Sequence, residues 1–452
     1  MKKYEKYKPS AYDWLSDIPT HWQELFIQQV SREQKNKNEN NIVNLVLSLS
    51  YGNIIRKKNI DAGLVAKDLS TYQIVDKDNI ILRFTDLQND HKSLRTGLVK
   101  ERGIISSAYT CIVPNINAAY LHYVLHSYDT QKVFYGMGGG VRQSIGYDDI
   151  RHMFVPVPTA AEQDQIVRYL DWQVSKINHL IHGYQKQIDL LDERKTTVIN
   201  QAVTRGIHAD VEVQAVEANW VKEIPAHWEF NKVKQHFEIK KRIAGKEGYD
   251  VISITQQGLK VKDIASNEGQ MATNYSKYQF VHPGDYAMNH MDLLTGFIGL
   301  SDIFGVTSPD YRVFSAIDVE RTDLKYFLYV FQLGYKRKIF YGLGRGAANK
   351  GRWRMPAINF KNYDIPVPPI EEQREIVEYI EQETEKIDLL KREVEKQIEY
   401  LREYRTRLIS DVVTGQIDVR DVVIPEYTPE EDAEIDTDDI GEDVEEVTED
   451  AE

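Results

Sequence analysis

The chain reads Trp14-Leu-Ser-Asp-Ile18-Pro19-Thr-His21-Trp22 near its start, and 206 residues later it reads Trp220-Val-Lys-Glu-Ile224-Pro225-Ala-His227-Trp228. The same offset relates Phe134-Tyr135-Gly136 to Phe340-Tyr341-Gly342. A repeat of roughly 200 residues is much longer than the ~20–50-residue unit of a solenoid. We therefore interpret the pattern as a domain duplication, which predicts two similar lobes able to bind two sites on one ligand.

After each lobe the offset becomes 210 and a helical pattern begins. Val155-Pro-Val-Pro158 matches Ile365-Pro-Val-Pro368, and proline suits the start of a helix. Apolar residues then recur with a mean spacing of 3.5, which is typical of a coiled-coil seam. The seam residues are Ile166, Leu170, Ile177, Leu180 and Leu191 in the first helix, and Ile376, Ile380, Ile387, Leu390 and Leu401 in the second.

These two patterns predict an α+β fold. It has two similar mixed α/β lobes, separated by two long helices that form an antiparallel coiled coil about a pseudo-two-fold axis. At ~1.5 Å per residue, each helix is a rod of roughly 60 Å. The alternative is that each helix packs on its own lobe or on a partner protein.

Composition narrows the class of protein. The 452 residues are 42% hydrophobic, which is enough for sizeable cores. Cys111 is the single cysteine, so an internal disulfide and a cysteine-based zinc site are excluded. The sequence contains no visible signal peptide and no run of ~18 apolar residues. We therefore expect a cytoplasmic protein.

The net charge of −14 is concentrated in the C-terminal tail, because residues 426–452 contain 15 acidic residues and no Lys or Arg. Residues 1–161 carry a net +4, and residues 219–370 a net +6. The lobes thus permit a polyanionic partner. The tail is predicted to be disordered, and either aids solubility or competes for the basic surface.

Motifs for catalysis are missing: there is no Walker-type loop, no His-Glu-x-x-His and no cluster with metal-ligand spacing. Two glycine-rich loops, 136–140 and 342–346, occupy the same position in the repeat and have cations nearby. Glycine allows close approach to a phosphate, and arginine binds phosphates or guanine edges. The alternative is a surface turn with ordinary solvated charges. The paired tryptophans of each opening segment are interpreted as packing residues.

Candidate DNA-binding residues come from these loops and from short basic patches elsewhere. They are Lys35, Lys37, Arg56, Lys57, Lys58, Arg142, Lys240, Lys241, Arg242, Lys336, Arg337, Lys338, Arg345, Lys350, Arg352, Trp353 and Arg354.

The duplicated Trp-x-x-x-Ile-Pro-x-x-Trp opening and the Pro-Val-Pro-x-x-x-Glu-Gln-x-x-Ile start of each helix resemble specificity subunits of type I restriction-modification enzymes. The resemblance covers residues from about 10 to 420. It implies a non-catalytic subunit whose two target recognition domains each read half of a bipartite, asymmetric DNA sequence, while the helices set the gap. The acidic tail lies outside the family pattern.

The resemblance also implies a division of the chain. Residues 1–158 are target recognition domain 1, 159–207 the central spacer helix, 208–368 target recognition domain 2, 369–420 the C-terminal spacer helix and 421–452 the acidic tail. The implied partners are double-stranded DNA, two methylation subunits and the restriction motor-nuclease subunits. S-adenosylmethionine, ATP and Mg²⁺ are expected on those partners. No cofactor or metal is expected on this chain.

Three other interpretations remain open. In one, the chain is the recognition subunit of a related system whose partner fuses methyltransferase and nuclease. In another, it is a self-contained methyltransferase or nuclease, against which the missing motifs speak. In the last, it is a coiled-coil scaffold that does not bind DNA, against which the duplicated basic loops speak.

Overall fold

The computed structural model describes residues 2–11, 15, 17–57, 68–85, 94–137, 145–208, 210–256, 258–263, 274–346 and 353–429. The chain divides into two compact units. Unit 1 comprises Met1–Lys186 with Glu395–Glu452, and unit 2 comprises Gln187–Val394. Each unit therefore takes one mixed segment and a part of both long helices.

The strands of the first half are β1 Tyr7–Lys8, β2 Ile18–Pro19, β3 Gln23–Phe26, β4 Ser31–Gln34, β5 Leu47–Ser50, β6 Asn53–Arg56, β7 Gln73–Val75, β8 Ile80–Leu82, β9 Thr96–Leu98, β10 Gly103–Ile105, β11 Thr110–Pro114 and β12 Phe154–Val157. Those of the second half are β13 Val213–Ala215, β14 Glu223–Pro225, β15 Glu229–Lys232, β16 Phe237–Lys240, β17 Ile252–Thr255, β18 Gly258–Val261, β19 Gln279–Val281, β20 Tyr286–Met288, β21 Ile298–Leu300, β22 Gly305–Thr307, β23 Arg312–Ala316 and β24 Asp364–Val367.

The helices are α1 Ile27–Val30, α2 Ala118–Thr130, α3 Tyr147–Ile150, α4 Ala160–Arg205, α5 Val233–His236, α6 Leu324–Lys336, α7 Ile339–Gly342, α8 Ala357–Lys361 and α9 Ile370–Val413. Helices α4 and α9 are the predicted long helices. The mixed α+β class predicted from the sequence is confirmed. Among the described residues, none of the helices combines the length and apolar character needed to cross a membrane.

The duplication is visible in the main sheets. Unit 1 has the strand order β4-β11-β8-β9-β6-β5, and unit 2 has β16-β23-β20-β21. The register also repeats, because Gln34 pairs with Cys111 and Lys240 pairs with Val313. The strands β4, β11, β8 and β9 of the unit 1 sheet therefore correspond, in that order, to β16, β23, β20 and β21 of unit 2.

One helix of about three and a half turns packs beside each sheet, and both begin in the same way. The Asn117 side chain accepts a hydrogen bond from the Tyr120 amide at 3.0 Å, and the Asp323 side chain accepts one from the Tyr326 amide at 3.0 Å. Such a cap satisfies one of the amides left free at a helix N-terminus. The helices α2 and α6 are thus equivalent.

The cores beneath these helices differ in chemistry. In unit 2 the core is largely aromatic, and the ring of Phe331 lies 5.3 Å from Phe237, 5.3 Å from Phe314 and 5.7 Å from Tyr286. In unit 1 the buried side chains of the equivalent strands are mostly aliphatic, as in Ile80–Leu82. The same topology thus tolerates two different core packings, as is usual when volume and apolar pattern are kept.

The repeated opening segment of unit 1 is joined to the start of α4 by one buried carboxylate. Glu162, which is 5% exposed, accepts hydrogen bonds from the Tyr4 hydroxyl at 2.7 Å and the Trp22 indole at 3.1 Å. The His21 Nε2 lies 3.0 Å from its other oxygen. Burial is the main cause that raises the pKa of Tyr4 well above its usual value, and its hydrogen bond to Glu162 is the second. The repeated Trp and Glu motifs therefore meet in space.

Unit 2 repeats this contact with one partner fewer. Glu372 accepts a hydrogen bond from the Trp228 indole at 3.0 Å and lies 2.7 Å from His227 Nε2. Among the described residues, no tyrosine hydroxyl takes the place that Tyr4 has in unit 1. The packing role predicted for these tryptophans agrees with their burial, at 1% exposed for Trp22 and 2% for Trp228.

The glutamine that follows each glutamate ties the long helix to the shorter one. Gln163 accepts a hydrogen bond from the Asn117 amide at 3.1 Å, and Gln373 accepts one from the Asp323 amide at 2.8 Å. The Glu-Gln motif thus fixes both the opening segment and the α2 or α6 cap to the start of a long helix.

Within each unit the two long-helix segments run antiparallel. In unit 2, Lys195 pairs with Asp388 and Lys391 with Asp192, both at 2.7 Å. In unit 1, Arg405 donates to Asn178 at 2.8 Å. Gln165 in that unit reaches the carbonyl of Val419, beyond the end of α9. In both units, positions further along α4 contact positions earlier in α9, which is the predicted antiparallel arrangement.

The predicted seam needs correction at two positions. Leu180 is 50% exposed and Leu390 is 53% exposed, so neither lies in the helix interface. Ile181, which is 1% exposed, takes the buried place next to Leu180. A straight helix has 3.6 residues per turn, so a strict 3.5-residue pattern drifts away from the buried face. The buried members of the predicted set are Ile166, Leu170, Ile177, Leu191, Ile376, Ile380 and Ile387, while Leu401 is half-buried.

The chain beyond α9 returns along α4 in unit 1. Gln165 donates to the carbonyls of Val419 and Val422, at 3.0 and 2.8 Å, and Ser175 donates to the carbonyl of Thr428 at 3.3 Å. The tail was predicted to be disordered from residue 421, but the segment 421–428 makes these contacts, so its start must be moved later. Residues 430–452 lie outside the described part of the chain.

Candidate nucleic-acid interface

A buried glutamine in unit 1 fixes the shape of a surface turn. The Nε2 of Gln73, on β7, donates hydrogen bonds to the carbonyls of Ser106 and Tyr109, at 2.9 and 2.6 Å. Gln73 is only 4% exposed, so these bonds form away from competing water. The turn lies directly before β11 and forms one wall of a groove at the end of β4.

Unit 2 contains the same arrangement. The Nε2 of Gln279, which is 2% exposed, donates to the carbonyls of Ser308 and Tyr311, at 2.9 and 2.7 Å. The turn precedes β23 and borders a groove at the end of β16. Each turn has the sequence Ser-x-x-Tyr, so the two grooves are equivalent parts of the repeat.

The groove of unit 2 brings together cations that are far apart in the sequence. Its lining includes Lys240 and Lys241 at the end of β16, Arg312 at the start of β23, and Arg354 beside the glycine-rich loop. Asp310 is the carboxylate among its lining residues. The strand-end patch and the loop patch predicted separately therefore line one groove in this unit.

Arg312 lies at the floor of this groove and is 5% exposed. Its guanidinium donates to the Met355 carbonyl at 2.8 Å and lies 4.9 Å from the centre of the Phe360 ring. Among the described residues, no carboxylate lies within ion-pair distance of it. Burial lowers the pKa of Arg312 to about 10, so it still carries its charge at neutral pH. Burial, with Arg312 and Arg354 nearby, also lowers the pKa of His290 in the same groove to about 4.

The groove of unit 1 is lined differently. Its cations are Lys35 and Lys37, and its carboxylates are Glu33, Asp148 and Asp149. The Lys35 ammonium lies 3.0 Å from the Glu33 carboxylate. In the described part of the chain, this groove thus has three carboxylates for two ammonium groups, although its shape follows from the same turn.

The glycine-rich loop of unit 2 is closed at its base. The amide and carbonyl of Arg345 pair with those of Arg354, at 2.8 and 3.1 Å. The Trp353 indole donates to the Tyr341 carbonyl at 2.7 Å, and the two rings stack with centroids 5.5 Å apart. Gly344 is required here, because a Cβ would lie 2.2 Å from the Trp353 ring. The Trp353 side chain is therefore engaged within its own unit.

Several predicted residues lie away from the grooves. Arg337 donates to the Asn200 side chain at 2.7 Å and to the Trp220 carbonyl at 3.4 Å, so it contacts the end of α4. Lys336 and Lys338 border a different pocket, which also includes Lys195. Desolvation, followed by repulsion from Lys195, lowers the pKa of Lys336. None of these three basic residues lines the groove of unit 2.

Two further arginines are held in ion pairs. Arg56 is bound by both carboxylate oxygens of Glu101, at 2.6 and 2.5 Å, on the surface of unit 1. Arg242 pairs with the buried carboxylate of Asp285 in unit 2. Lys57 follows β6 and donates its amide to the Val46 carbonyl. The remaining candidates Lys58, Arg142, Lys350 and Arg352 lie outside the described residues.

The described residues were compared with the requirements of a metal site and of a nucleophilic cysteine. They contain no group of three or more His, Cys, Asp and Glu side chains arranged for a metal ion. Cys111, at the unit 1 groove, is 1% exposed, and burial raises the pKa of its thiol to about 12. A thiol of this kind is a poor nucleophile at neutral pH.

Comparison with known proteins finds relatives of one kind. Residues 225–400 match the family described as type I restriction modification DNA specificity domain. A putative type I restriction enzyme MjaX specificity subunit from Methanocaldococcus jannaschii is 25% identical over 320 residues, which covers 68% of this chain and 69% of the relative. The type I restriction enzyme MjaVIII specificity subunit of the same organism is 22% identical, over 90% of this chain and 95% of its own length.

The chain is thus similar to type I restriction enzyme specificity subunits, through a family match over residues 225–400 and through two relatives that are 25% and 22% identical. A solved structure described as "Structural basis underlying complex assembly and conformational transition of the type I R-M system" has the same fold, with a TM-score of 0.59 and 15% identity. The match covers 88% of this chain and 99% of that one. The resemblance seen in the sequence is therefore confirmed by these relatives, and the solved structure shows that the fold is shared over 88% of this chain.

Sequence reasoning missed several residues of the two grooves. Gln73 and Gln279 stand 206 residues apart, and each is followed by a Ser-x-x-Tyr turn, so a search of the repeat could have found them. Arg312 and His290 gave no such signal. A lone arginine at the start of a strand reveals neither its burial nor its missing carboxylate.

Proposed function

We propose that this chain is the DNA-recognition subunit of a type I restriction-modification complex, and that each of its two grooves faces one half of a bipartite target. The observation that carries the proposal is the pair of equivalent grooves, each shaped by a buried glutamine and a Ser-x-x-Tyr turn. A duplicated groove suits a duplicated ligand site. Because the side chains of the two grooves differ, we expect two unlike half-sites and an asymmetric target.

DNA is the ligand that these side chains suit best. Lys and Arg bind phosphate oxygens, and Arg also pairs with guanine edges. Carboxylates accept hydrogen bonds from cytosine amino groups. Contacts to the backbone position a protein, while contacts to base edges give specificity. A groove that contains both kinds of side chain can serve both purposes.

We propose that the long helices act as the spacer between the two half-sites. Helix α4 has 46 residues and α9 has 44, so each is about 65–70 Å long at ~1.5 Å per residue. In this proposal residues 1–158 and 208–368 are the recognition domains, 159–207 and 369–420 are the spacer helices, and the acidic tail follows. A stiff spacer suits a target with a fixed gap better than a flexible linker would.

The proposed partners are DNA, two methylation subunits and the restriction subunits. S-adenosylmethionine, ATP and Mg²⁺ would be bound by those subunits, and the complex would act in the cytoplasm. In unit 2 the helices expose Leu190, Leu389 and Leu390, each between 51% and 56% exposed. Exposed apolar side chains on a helix favour a protein partner. We propose a methylation subunit as that partner, because recognition without catalysis requires one.

The first experiment maps methylated adenines across the genome of the source cell, with this gene intact and deleted. We expect an asymmetric two-part motif with a fixed gap to be methylated in the intact strain and unmethylated in the deletion strain. An unchanged pattern in a strain that expresses the complex would contradict the proposed function.

The second experiment measures binding of the assembled complex to the DNA sequence found in this way. The variant Lys241→Ala is expected to weaken binding about 5–30-fold, since one charge-assisted contact is worth roughly 1–2 kcal/mol. The matched control is Lys222→Ala, which removes an exposed lysine outside the groove of the same unit. Equal losses in the two variants would argue against the groove as the DNA-binding surface.

A further inference from the structure

The register of the sheets allows the two grooves to be compared position by position. Gln34 is opposite Cys111, and Lys240 is opposite Val313, so Gln34 corresponds to Lys240. The residues before Cys111 and Val313 are Thr110 and Arg312, which therefore also correspond. Two neutral side chains in unit 1 thus occupy the places of two cations in unit 2.

The described lining residues of the two grooves differ in charge. Among the described residues, the groove of unit 2 is lined by four Lys and Arg side chains and one carboxylate, whereas that of unit 1 is lined by two lysines and three carboxylates. Ion pairs with residues beside the grooves reduce this difference but leave the groove of unit 2 the more basic one. In unit 1, Asp148 pairs with Arg151 at 3.4 Å. Lys240 pairs with Glu238 beside the groove, and Lys35 in unit 1 pairs with Glu33.

Resting on the proposed function, we propose that the two units bind the DNA differently: unit 2 holds the phosphate backbone through Lys241, Arg354 and the buried Arg312, while unit 1 contributes little backbone binding and reads base amino groups through its carboxylates.

The buried arginine is the strongest argument for phosphate binding in unit 2. A buried charge without a counter-ion is costly, and groups perturbed by burial cluster at functional sites. Arg312 lies at the groove floor without a carboxylate partner among the described residues. Lys241 and Arg354 line the same groove. A phosphate above these three groups would supply the missing negative charge.

The carboxylates of unit 1 argue against the same role there. Asp148 is 86% exposed at its side chain and lines the groove with Lys37 and Glu33. Carboxylates repel phosphates but accept hydrogen bonds from the exocyclic amino groups of bases in the major groove. A groove with more carboxylates than cations is therefore suited to base edges rather than to the backbone.

The test measures the salt dependence of specific DNA binding by the assembled complex. Each phosphate contact that is lost lowers the slope of log K against log salt concentration by about 0.9. We expect Lys241→Ala with Arg354→Ala to lower the slope by about 2. We expect Lys35→Ala with Lys37→Ala to lower it by no more than about half of that. A gain-of-charge variant, Gln34→Lys, should steepen the slope by up to about 1.

Equal slope changes for the two double variants, or a larger change in unit 1, would overturn the inference while leaving DNA recognition intact. A complex of the unaltered chain that fails to bind its methylated motif specifically would instead reject the proposed function, and the inference with it. Asp148→Asn provides a separate readout: it should reduce discrimination at one base pair and leave the slope unchanged. Thermal unfolding of each variant checks that the fold is retained.

Discussion

The duplicated carboxylates Glu162 and Glu372 allow one prediction to be tested within a single chain. Both accept a hydrogen bond from the second tryptophan of an opening segment, and both lie beside a histidine. Glu162 also accepts one from the Tyr4 hydroxyl at 2.7 Å. We therefore expect Glu162→Ala to destabilise the protein more than Glu372→Ala does.

The expected magnitude follows from the number of donors left without a partner. A hydrogen bond to a charged group contributes about 1.5–3 kcal/mol, and a buried donor without a partner costs about 1–3 kcal/mol. The side chains of Glu162 and Glu372 are 4% and 13% exposed, whereas the histidines are 41% and 47% exposed and add little. We expect a loss of about 3–5 kcal/mol for Glu162→Ala and about 2–3 kcal/mol for Glu372→Ala.

The assay is urea unfolding of the full chain followed by tryptophan fluorescence, with hydrogen exchange to locate the unit that opens first. Tyr4→Phe supplies the matched control, because it removes only the hydroxyl that distinguishes the two sites. That variant should lower the unfolding free energy by about 1–2 kcal/mol. It should not change the loss of unfolding free energy that Glu372→Ala causes, because the two sites are independent. Equal losses for the two alanine variants, or a silent Tyr4→Phe, would refute the reasoning.

Three other predictions concern the grooves, the core and pH. Gln279→Ala leaves two carbonyls without their donors and should lower the free energy of unfolding, measured in urea, by about 2–4 kcal/mol. It should also cause a marked loss of DNA affinity. The control is Lys277→Ala at an exposed neighbouring position, which should change neither quantity. Phe331→Ala opens a cavity in the aromatic core and should cost about 3–5 kcal/mol in the same assay; a loss below 1 kcal/mol would contradict the packing described. Burial lowers the pKa of His122 to about 4 and that of His126 to about 3. Between pH 6.5 and those values, the unfolded chain therefore binds more protons than the folded chain, and the free energy of unfolding falls as the pH falls. Unfolding free energy should drop by about 1–2 kcal/mol per histidine from pH 7 to pH 5, and His126→Leu should flatten that dependence.

The spacer role gives a fifth prediction, at the level of the DNA target. Inserting seven helical residues after Lys186 and seven after Lys396 lengthens both antiparallel helices at facing positions. Seven residues add about 10 Å, or roughly three base pairs at ~3.4 Å each. The methylated motif should keep both half-sites and gain about three base pairs in its gap. A motif with altered half-sites or an unchanged gap would argue against a spacer.

The long helices illustrate how far periodicity can be followed. Their existence, their starts after Pro158 and Pro368, and the burial of residues such as Ile166 and Ile376 follow from a repeated apolar pattern. The pattern failed at Leu180, because a 3.5-residue spacing and a 3.6-residue helix lose phase within a few turns. The correct buried neighbour is decided by the partner helix rather than by the spacing alone.

The sequence by itself determined the duplication, the two long helices and the family, because each is written in residues at fixed offsets along the chain. Only the tertiary structure decided which cations share a groove. Lys241 and Arg354 are more than a hundred residues apart and meet because β16 and the loop base end at the same edge of unit 2. Burial of Arg312 depends on a floor built by Met355 and Phe360. Charge is a property of a residue, but its solvation and its neighbours are properties of the fold.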